Sequence, residues 1–136
     1  MLHAAVLRSP HAHARIRSID TEAARAMPGV VAVVTGHELA AWTVRHRMAP
    51  PIEGLHPVES DTLPIERVRF HGDLVACVVA TDRYLAEDAA ELVQIDYTPL
   101  EAVIDAEKAL EDSHLVHEEL GSNRVWNGVW EFGDCE

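Results

Sequence analysis

The fold is decided by residues 11–35, which read HAHARIRSIDTEAARAMPGVVAVVT. Residues 11–19 alternate as a half-buried strand does. One face of that strand carries His11, His13, Arg15, Arg17 and Ile19. Residues 22–27, between a capping Asp-Thr pair and a Pro-Gly pair, predict a short helix, and the β-branched residues 30–35 predict a buried strand. The stretch therefore predicts a strand, a helix and a second strand.

The same order of elements returns downstream. Two predicted strands, residues 67–70 and 74–80, flank the turn His71-Gly72-Asp73, and a helix capped by Thr81 or Asp82 then follows. Its apolar stripe consists of Leu85, Ala89, Leu92 and Val93. Residues 94–97 form the returning strand. With a first strand over residues 1–9, these units predict an α+β fold, a mixed sheet with two strand-helix-strand units.

Two stretches lack a regular period. Residues 41–66 contain four prolines and predict an irregular excursion between the two units. Residues 105–110 favour one more short helix, and residues 121–136 carry Trp126, Trp130 and Phe132 without a pattern. We expect residues 1–136 to form a single domain with 121–136 as an exit segment.

Composition restricts the class of protein. The 136 residues are 48% hydrophobic and 25% charged, as expected of a globular chain with one core. No apolar run approaches the ~20 residues of a membrane-spanning helix, and no secretory leader follows Met1, so we expect neither. The two cysteines, Cys77 and Cys135, do not form a disulfide framework and favour a cytoplasmic location.

Charge is unevenly distributed along the chain. The net charge of −12 opposes binding to a phosphate backbone. Residues 1–69 hold eight arginines and seven acids, whereas residues 70–136 hold three basic residues and sixteen acids. The acidic half either forms a well-solvated face or orients the chain against a partner.

The histidines are the first candidates for chemistry. Two imidazoles spaced as His11 and His13 on one strand face could begin a transition-metal site, and His3 could add a third nitrogen. Arg15 and Arg17 on the same face would repel a cation, so a polar sheet face or a partner-contact face is favoured. Adventitious metal binding at these histidines stays open.

The other reactive residue types favour structural roles. Cys77 lies in an apolar run that raises thiol pKa, which predicts a core position. The acid pairs Glu87-Asp88 and Glu118-Glu119 favour solvated faces. Phosphate-binding loops and a nucleophile elbow have no match among the seven glycines. The sequence therefore assigns no catalytic, cofactor-binding or metal residue.

Residues 1–16, MLHAAVLRSPHAHARI, resemble the opening of the α/β hammerhead domain of the molybdenum hydroxylases. That family includes xanthine dehydrogenase, aldehyde oxidase and the large chain of aerobic carbon monoxide dehydrogenase. Further similar stretches follow in order at residues 28–35, 68–76, 86–93, 96–100, 117–119 and 133–134. His71 and Asp73-Leu74 depart from the family pattern and alter one turn.

The resemblance implies a structural part of a larger oxidoreductase. That enzyme would act at a molybdenum-molybdopterin centre and pass electrons through iron–sulfur clusters to a flavin or another acceptor. Its cofactor contacts and catalytic glutamate would lie outside this chain. The implied partners are the rest of the large chain and its iron–sulfur part, and the isolated chain would self-associate through uncovered surfaces. The alternative is a stand-alone binding or assembly module that keeps the fold without the enzyme.

Overall fold

The computed structural model describes residues 1–48 and 50–134, which form short strands and helices joined by loops. The elements in chain order are β1 (His3–Arg8), β2 (Ala14–Asp20), α1 (Glu22–Ala26), β3 (Val30–Thr35), α2 (Gly36–Leu39), β4 (His46–Met48), β5 (Val58–Ser60), β6 (Arg67–Val68), β7 (Leu74–Ala80), α3 (Arg83–Glu91), β8 (Gln94–Pro99) and α4 (Ala106–Ala109), followed by a 3-10 helix at Glu118–Leu120. They divide into two compact units. The first unit comprises Met1–His46 with Ser60–Ala102, and the second comprises Arg47–Glu59 with Val103–Glu136.

The first unit contains two three-stranded sheets. Their strand orders are β1-β7-β3 and β6-β2-β8, and β4 pairs with β5 in a separate two-stranded sheet. The predicted units are present as β2-α1-β3 and β7-α3-β8, which confirms the α+β class. The single mixed sheet is wrong, because every pair within the two larger sheets is antiparallel. Each helix carries the chain from one sheet to the other, and local periodicity does not reveal that change.

Strand β2 contains a bulge that changes which side chains share a face. Ile16 pairs with Tyr97 while Ser18 pairs with Asp96, so Arg17 is the extra residue. Ile19 therefore returns to the apolar face of Ile16, and both pack against the buried core. The prediction that Ile19 shares a face with the arginines is wrong for this reason.

The core of the first unit lies between the helices and the β1-β7-β3 sheet. Its fully or almost fully buried residues are Ala24, Val33, Val78, Ala89 and Val93. Burial of a valine such as Val78 contributes about 1.5–3 kcal/mol. The predicted stripe of α3 is wrong at Leu92, which is 41% exposed, because the helix ends at Glu91. Ala86, which is buried, takes its place.

Helix α3 begins where the sequence predicts. The Asp82 carboxylate accepts hydrogen bonds from the N–H groups of Tyr84 and Leu85, at 2.9 and 3.3 Å. This is the N-cap geometry that satisfies free N–H groups of the first turn. Asp105 caps α4 in the same way, accepting from Glu107 and Lys108.

In the second unit, Asn123 closes the loop that follows α4. Its side-chain amide donates to the carbonyl oxygens of Ala109 and His114, at 3.1 and 2.7 Å, and its Oδ1 accepts from the N–H of Val116. Asp112, a non-glycine residue at φ +52°, accepts from the Asn123 N–H at 2.7 Å. One asparagine thus holds a segment whose sequence has no period.

None of the helices in the described part has the length and apolar character needed to cross a membrane.

Candidate functional site

The histidines singled out from the sequence do not converge. His3 begins β1, whereas His11 and His13 follow its other end. Since a strand rises about 3.3 Å per residue, the two ends of β1 lie roughly 16 Å apart. The structure thus separates His3 from the other two. No group of three or more His, Cys, Asp or Glu side chains placed to hold a metal ion occurs among residues 1–48 and 50–134.

His13 is buried, which corrects its predicted place on a polar face. Its side chain is 7% exposed, and Nδ1 lies 2.8 Å from the carbonyl oxygen of Glu101. Because a carbonyl oxygen can only accept, Nδ1 donates in this bond. Nε2 is buried and has no hydrogen-bond partner in the part of the chain that the structure describes. The alternation fails here because β2 begins only at Ala14.

His11 and Tyr97 make an edge-to-face contact beside His13. Their ring centroids lie 5.0 Å apart with an interplanar angle of 65°. Burial raises the pKa of Tyr97, and the neighbouring charge of Asp73 acts in the same direction. The Ser9 hydroxyl acts in the opposite direction and lowers the pKa of Tyr97. That hydroxyl also donates to the carbonyl oxygen of His11 and accepts from the His11 N–H, each at 3.0 Å. The tyrosine therefore stays a neutral phenol held against the sheet.

Asp73 occupies the turn between β6 and β7. Burial raises the pKa of its carboxyl, although the backbone N–H groups of Arg69 and Leu74 donate to it and oppose the shift. The Arg69 N–H lies 3.2 Å from its Oδ2. Ser9 also donates its N–H to the Asp73 carbonyl oxygen at 2.8 Å. The turn is thus tied to the end of β1.

Cys77 is only half-buried, so its predicted core position is wrong. It points to the face of β7 opposite the buried Val78, because side chains alternate along a strand. Burial still raises the pKa of its thiol above the ordinary value. A thiol with a raised pKa and no described cationic neighbour is a poor nucleophile.

The predicted acid pairs lie on exposed surfaces. On α3, Glu87 and Asp88 are exposed, and Glu87 forms an ion pair with Arg83 at 2.9 Å. On the 3-10 helix, Glu118 and Glu119 are exposed, and Glu119 Oε1 lies 3.1 Å from His117 Nδ1. Neither pair faces a cleft in which an acid and a base could act on one substrate.

An arginine face on the β6-β2-β8 sheet emerges from the strand register. Arg15 lies directly opposite Arg67, and Arg17 is the bulge residue two positions along β2. The side chains of Arg15 and Arg17 are exposed, and neither makes a hydrogen bond or an ion pair with another residue of the described ranges. Two exposed arginines on one strand favour an acidic partner. The sequence indicated Arg15 and Arg17 but not the pairing of Arg15 with Arg67 of β6.

An aromatic cluster lies in the second unit. Trp126 and Trp130 have ring centroids 5.7 Å apart, and Phe132 stacks on Trp130 at 6.5 Å. Trp130 and Phe132 are 63% and 80% exposed. Trp126 is half-buried, and its Nε1 donates to the carbonyl oxygen of Glu53 at 3.2 Å. The cluster is therefore only partly covered.

Comparison with known proteins identifies the fold family. A family model described as "Aldehyde oxidase and xanthine dehydrogenase, a/b hammerhead domain" matches residues 1–101. The chain belongs to this hammerhead family. The match confirms the resemblance drawn from residues 1–16 and from the stretches at residues 28–35, 68–76, 86–93 and 96–100, and it ends one residue before the end of the first unit.

Relatives of the hammerhead chain are parts of molybdenum enzymes. It is 42% identical to the carbon monoxide dehydrogenase large chain of Afipia carboxidovorans, over 100% of this chain and 18% of that one. It is 37% identical to the xanthine dehydrogenase molybdenum-binding subunit of Escherichia coli O157:H7, again over 100% and 18%. The crystal structure of quinoline 2-oxidoreductase from Pseudomonas putida 86 superposes with a TM-score of 0.88 at 42% identity, over 92% of this chain and 16% of that one. The hammerhead chain thus spans less than a fifth of these relatives.

Proposed function

We propose that this chain is the structural hammerhead domain, or a separate small subunit, of a larger molybdopterin-dependent oxidoreductase and is not catalytic alone. The observation that supports this most is the full-length similarity to large chains of which it covers only 16–18%. The larger enzyme would be of the xanthine dehydrogenase, aldehyde oxidase or carbon monoxide dehydrogenase type. The same proposal includes a cytoplasmic location.

The residues present do not fit the cofactors of such an enzyme. An iron–sulfur cluster usually takes four cysteine thiolates, whereas this chain has two cysteines, and Cys77 is half-buried with a raised pKa. The orphaned Nε2 of His13 is enclosed by protein, out of reach of a large cofactor. We therefore derive no chemical step through molybdopterin, iron–sulfur or flavin at these residues.

Two surfaces support contacts with the rest of such an enzyme. The exposed side chains of Arg15 and Arg17 fit an acidic surface, and the cluster of Trp126, Trp130 and Phe132 offers exposed aromatic area. The proposed partners are the remainder of the large chain and its iron–sulfur part. Within this proposal residues 1–136 act as one hammerhead-like domain, with residues 121–136 as the exit segment.

The test of this function is co-purification. A tagged chain expressed at native level in its own host should bring down a larger chain that carries molybdopterin, detected by molybdenum analysis. The chain purified alone should contain no stoichiometric molybdenum, iron or flavin and show no hydroxylase activity. Isolation without any molybdenum-bearing chain would instead favour the stand-alone binding or assembly module.

Self-association of the isolated chain is part of the same proposal. Exposed aromatics favour contact between copies, and the arginine face of one copy can meet the acidic half of another. Light scattering should detect a dimer or a larger species. Salt should weaken only the electrostatic part of the association. Trp130→Ala should shift it towards monomer, and a strictly monomeric wild type would contradict this part of the proposal.

A further inference from the structure

The outer face of the β1-β7-β3 sheet is apolar on all three strands up to Arg8, the exposed charged residue that ends β1. We use this name for the side turned away from Val33 and Val78, which pack in the core. In the strand register Val6 lies opposite Cys77, which lies opposite Val34, and Ala4 lies opposite Val79. No charged side chain occurs among these five residues. An antiparallel sheet with one face in water alternates apolar and polar residues, and these strands do not.

The outer face is partly open in this chain. Val6 is 46% exposed and Ala4 is exposed, while Val34, Cys77 and Val79 are half-buried. Val31, at the irregularity of β3, is 56% exposed. A contiguous exposed apolar patch of this kind is typical of a surface that another protein segment covers.

The outer face does not extend past Cys77 along β7. The register shifts there, since Leu7 lies opposite Ala76 and Arg8 opposite Leu74, which makes Val75 the extra residue. Val75 is buried like Ala76, and it packs with Ile19 and Ile95, which also border the core of Val33 and Val78. Val75 therefore belongs to the core side, and the outer face consists of the residues from Cys77 onward with their neighbours on β1 and β3.

We infer that the outer face is the surface on which the remainder of the large, molybdopterin-bearing chain packs. This inference rests on the proposed function and adds the surface that performs it. The relatives carry more than four fifths of their length beyond the segment that this chain matches, so in those relatives a large further part of the polypeptide is available to cover the face. A second copy is a poorer occupant, because face-to-face stacking brings together two chains of net charge −12.

The variants for the test are Val6→Asp on the outer face and Val44→Asp as its control. Both introduce one carboxylate at an exposed valine of the first unit, Val44 being 88% exposed. Val6→Thr, which keeps a β-branched side chain, is added in case the aspartate unfolds β1. Circular dichroism and thermal unfolding establish that each variant is folded.

The probe is the large chain of the Afipia carboxidovorans enzyme expressed without its own matching segment, and that segment in trans is the positive control. We expect capture of the wild type and Val44→Asp, and at least about tenfold weaker capture of Val6→Asp, because a buried carboxylate is unfavourable. Val6→Thr should reduce capture by the probe less than Val6→Asp does. In a Cys135→Ser background, alkylation of Cys77 by iodoacetamide should slow at least about tenfold in the complex, because a covered thiol is less accessible.

Two failures are distinguishable. Capture of Val6→Asp as strong as that of Val44→Asp, with Cys77 alkylated equally fast when free and bound, would overturn the assignment of this face and leave the proposed function intact. If the positive control is captured but the wild type is not, both proposals are overturned. A dimer that Val6→Asp abolishes, in the absence of the probe, would assign the face to a second copy instead.

Discussion

Arg25 forms an ion pair with Glu38, thirteen residues further along the chain. The same carboxylate accepts from the N–H and hydroxyl groups of Thr35, at 2.8 and 3.1 Å. The Arg25 guanidinium also donates to the carbonyl oxygen of Val33. This arrangement ties α1 to the end of β3 and to the first turn of α2.

Glu38→Gln should reduce stability at neutral pH and have less effect in acid. Burial alone would raise the pKa of the Glu38 carboxyl, but the Thr35 hydrogen bonds and Arg25 outweigh it and hold that pKa below 4.5, its ordinary value. A carboxyl with a lowered folded-state pKa stabilises the fold above its unfolded pKa, and this is lost as pH falls through the folded pKa. Since the pair is largely exposed, we expect about 0.5–1 kcal/mol near pH 7.

Urea unfolding between about pH 7 and pH 3 measures this difference in unfolding free energy. Glu107→Gln is the control, because Glu107 is an exposed glutamate in the first turn of α4. The wild type should lose its advantage over Glu38→Gln below about pH 4.5. A difference that stays constant throughout would show that the carboxylate charge does not contribute.

Asp73→Asn should stabilise the chain slightly at neutral pH, the opposite sign to Glu38→Gln. Burial raises the pKa of Asp73 above 3.8, its ordinary value, so the folded state disfavours the ionised form. Stability is lost as pH rises from the unfolded pKa through the folded pKa, and the penalty persists at pH 7. The asparagine oxygen can still accept from the Arg69 N–H.

For Asp73→Asn we expect the free energy of unfolding to increase by about 0.5 kcal/mol at pH 7. The increase is small because solvent screens this half-buried group. The gain should disappear at about pH 3, where Asp73 is protonated in both states. Asp88→Asn, on the exposed face of α3, removes the same charge without the burial and should change little. Denaturant titration of all three proteins at both pH values decides; a loss of stability in Asp73→Asn would contradict the prediction.

Ala76→Ser should cost more stability than Cys77→Ser, although the two residues are adjacent on β7. Ala76 is 0% exposed, so its variant buries a hydroxyl without a partner, at about 1–3 kcal/mol. Cys77 is half-buried on the outer face, and we expect about 1 kcal/mol or less. Cys135→Ser, at a position outside the described residues, should have almost no effect. If urea unfolding showed equal losses of stability, or a larger loss for Cys77→Ser, the placement of Cys77 on the outer face would be contradicted.

Local patterns were sufficient to predict the elements but not their pairing. The cap of α3, the turn before β7 and the strand β1 depend on neighbouring residues, and each appears where the sequence indicates. Whether β3 joins β7 and β2 joins β8 depends on contacts between distant residues. No residue type in the sequence marks the bulge at Arg17, so alternation alone could not predict the face on which Ile19 lies.

Two features of the candidate surfaces had partial signals in the sequence. The T-x-x-E spacing of Thr35 and Glu38 is the capping-box signature that marks α2, although Arg25 as third partner required the structure. For the outer face of the β1-β7-β3 sheet, the unbroken apolar run of residues 74–80 predicts only a core position. A strand without polar alternation is covered on both faces or awaits a cover, and only the exposure of Val6 distinguishes the two.

Gly128→Ala should displace the Trp126 indole and loosen the aromatic cluster. A Cβ at Gly128 would lie 2.7 Å from Cη2 of that ring, closer than such atoms approach in proteins. Movement of the ring would break its hydrogen bond to Glu53 and its contact with Trp130, with a loss of about 1 kcal/mol from overpacking. In a Trp42→Phe background, which removes the exposed third tryptophan, the emission should shift to the red and the near-ultraviolet dichroism should weaken. Asn127→Ala, at the exposed neighbouring position, is the control and should leave both spectra unchanged. If the Gly128→Ala spectra also stay unchanged, the indole does not lie over this glycine in solution.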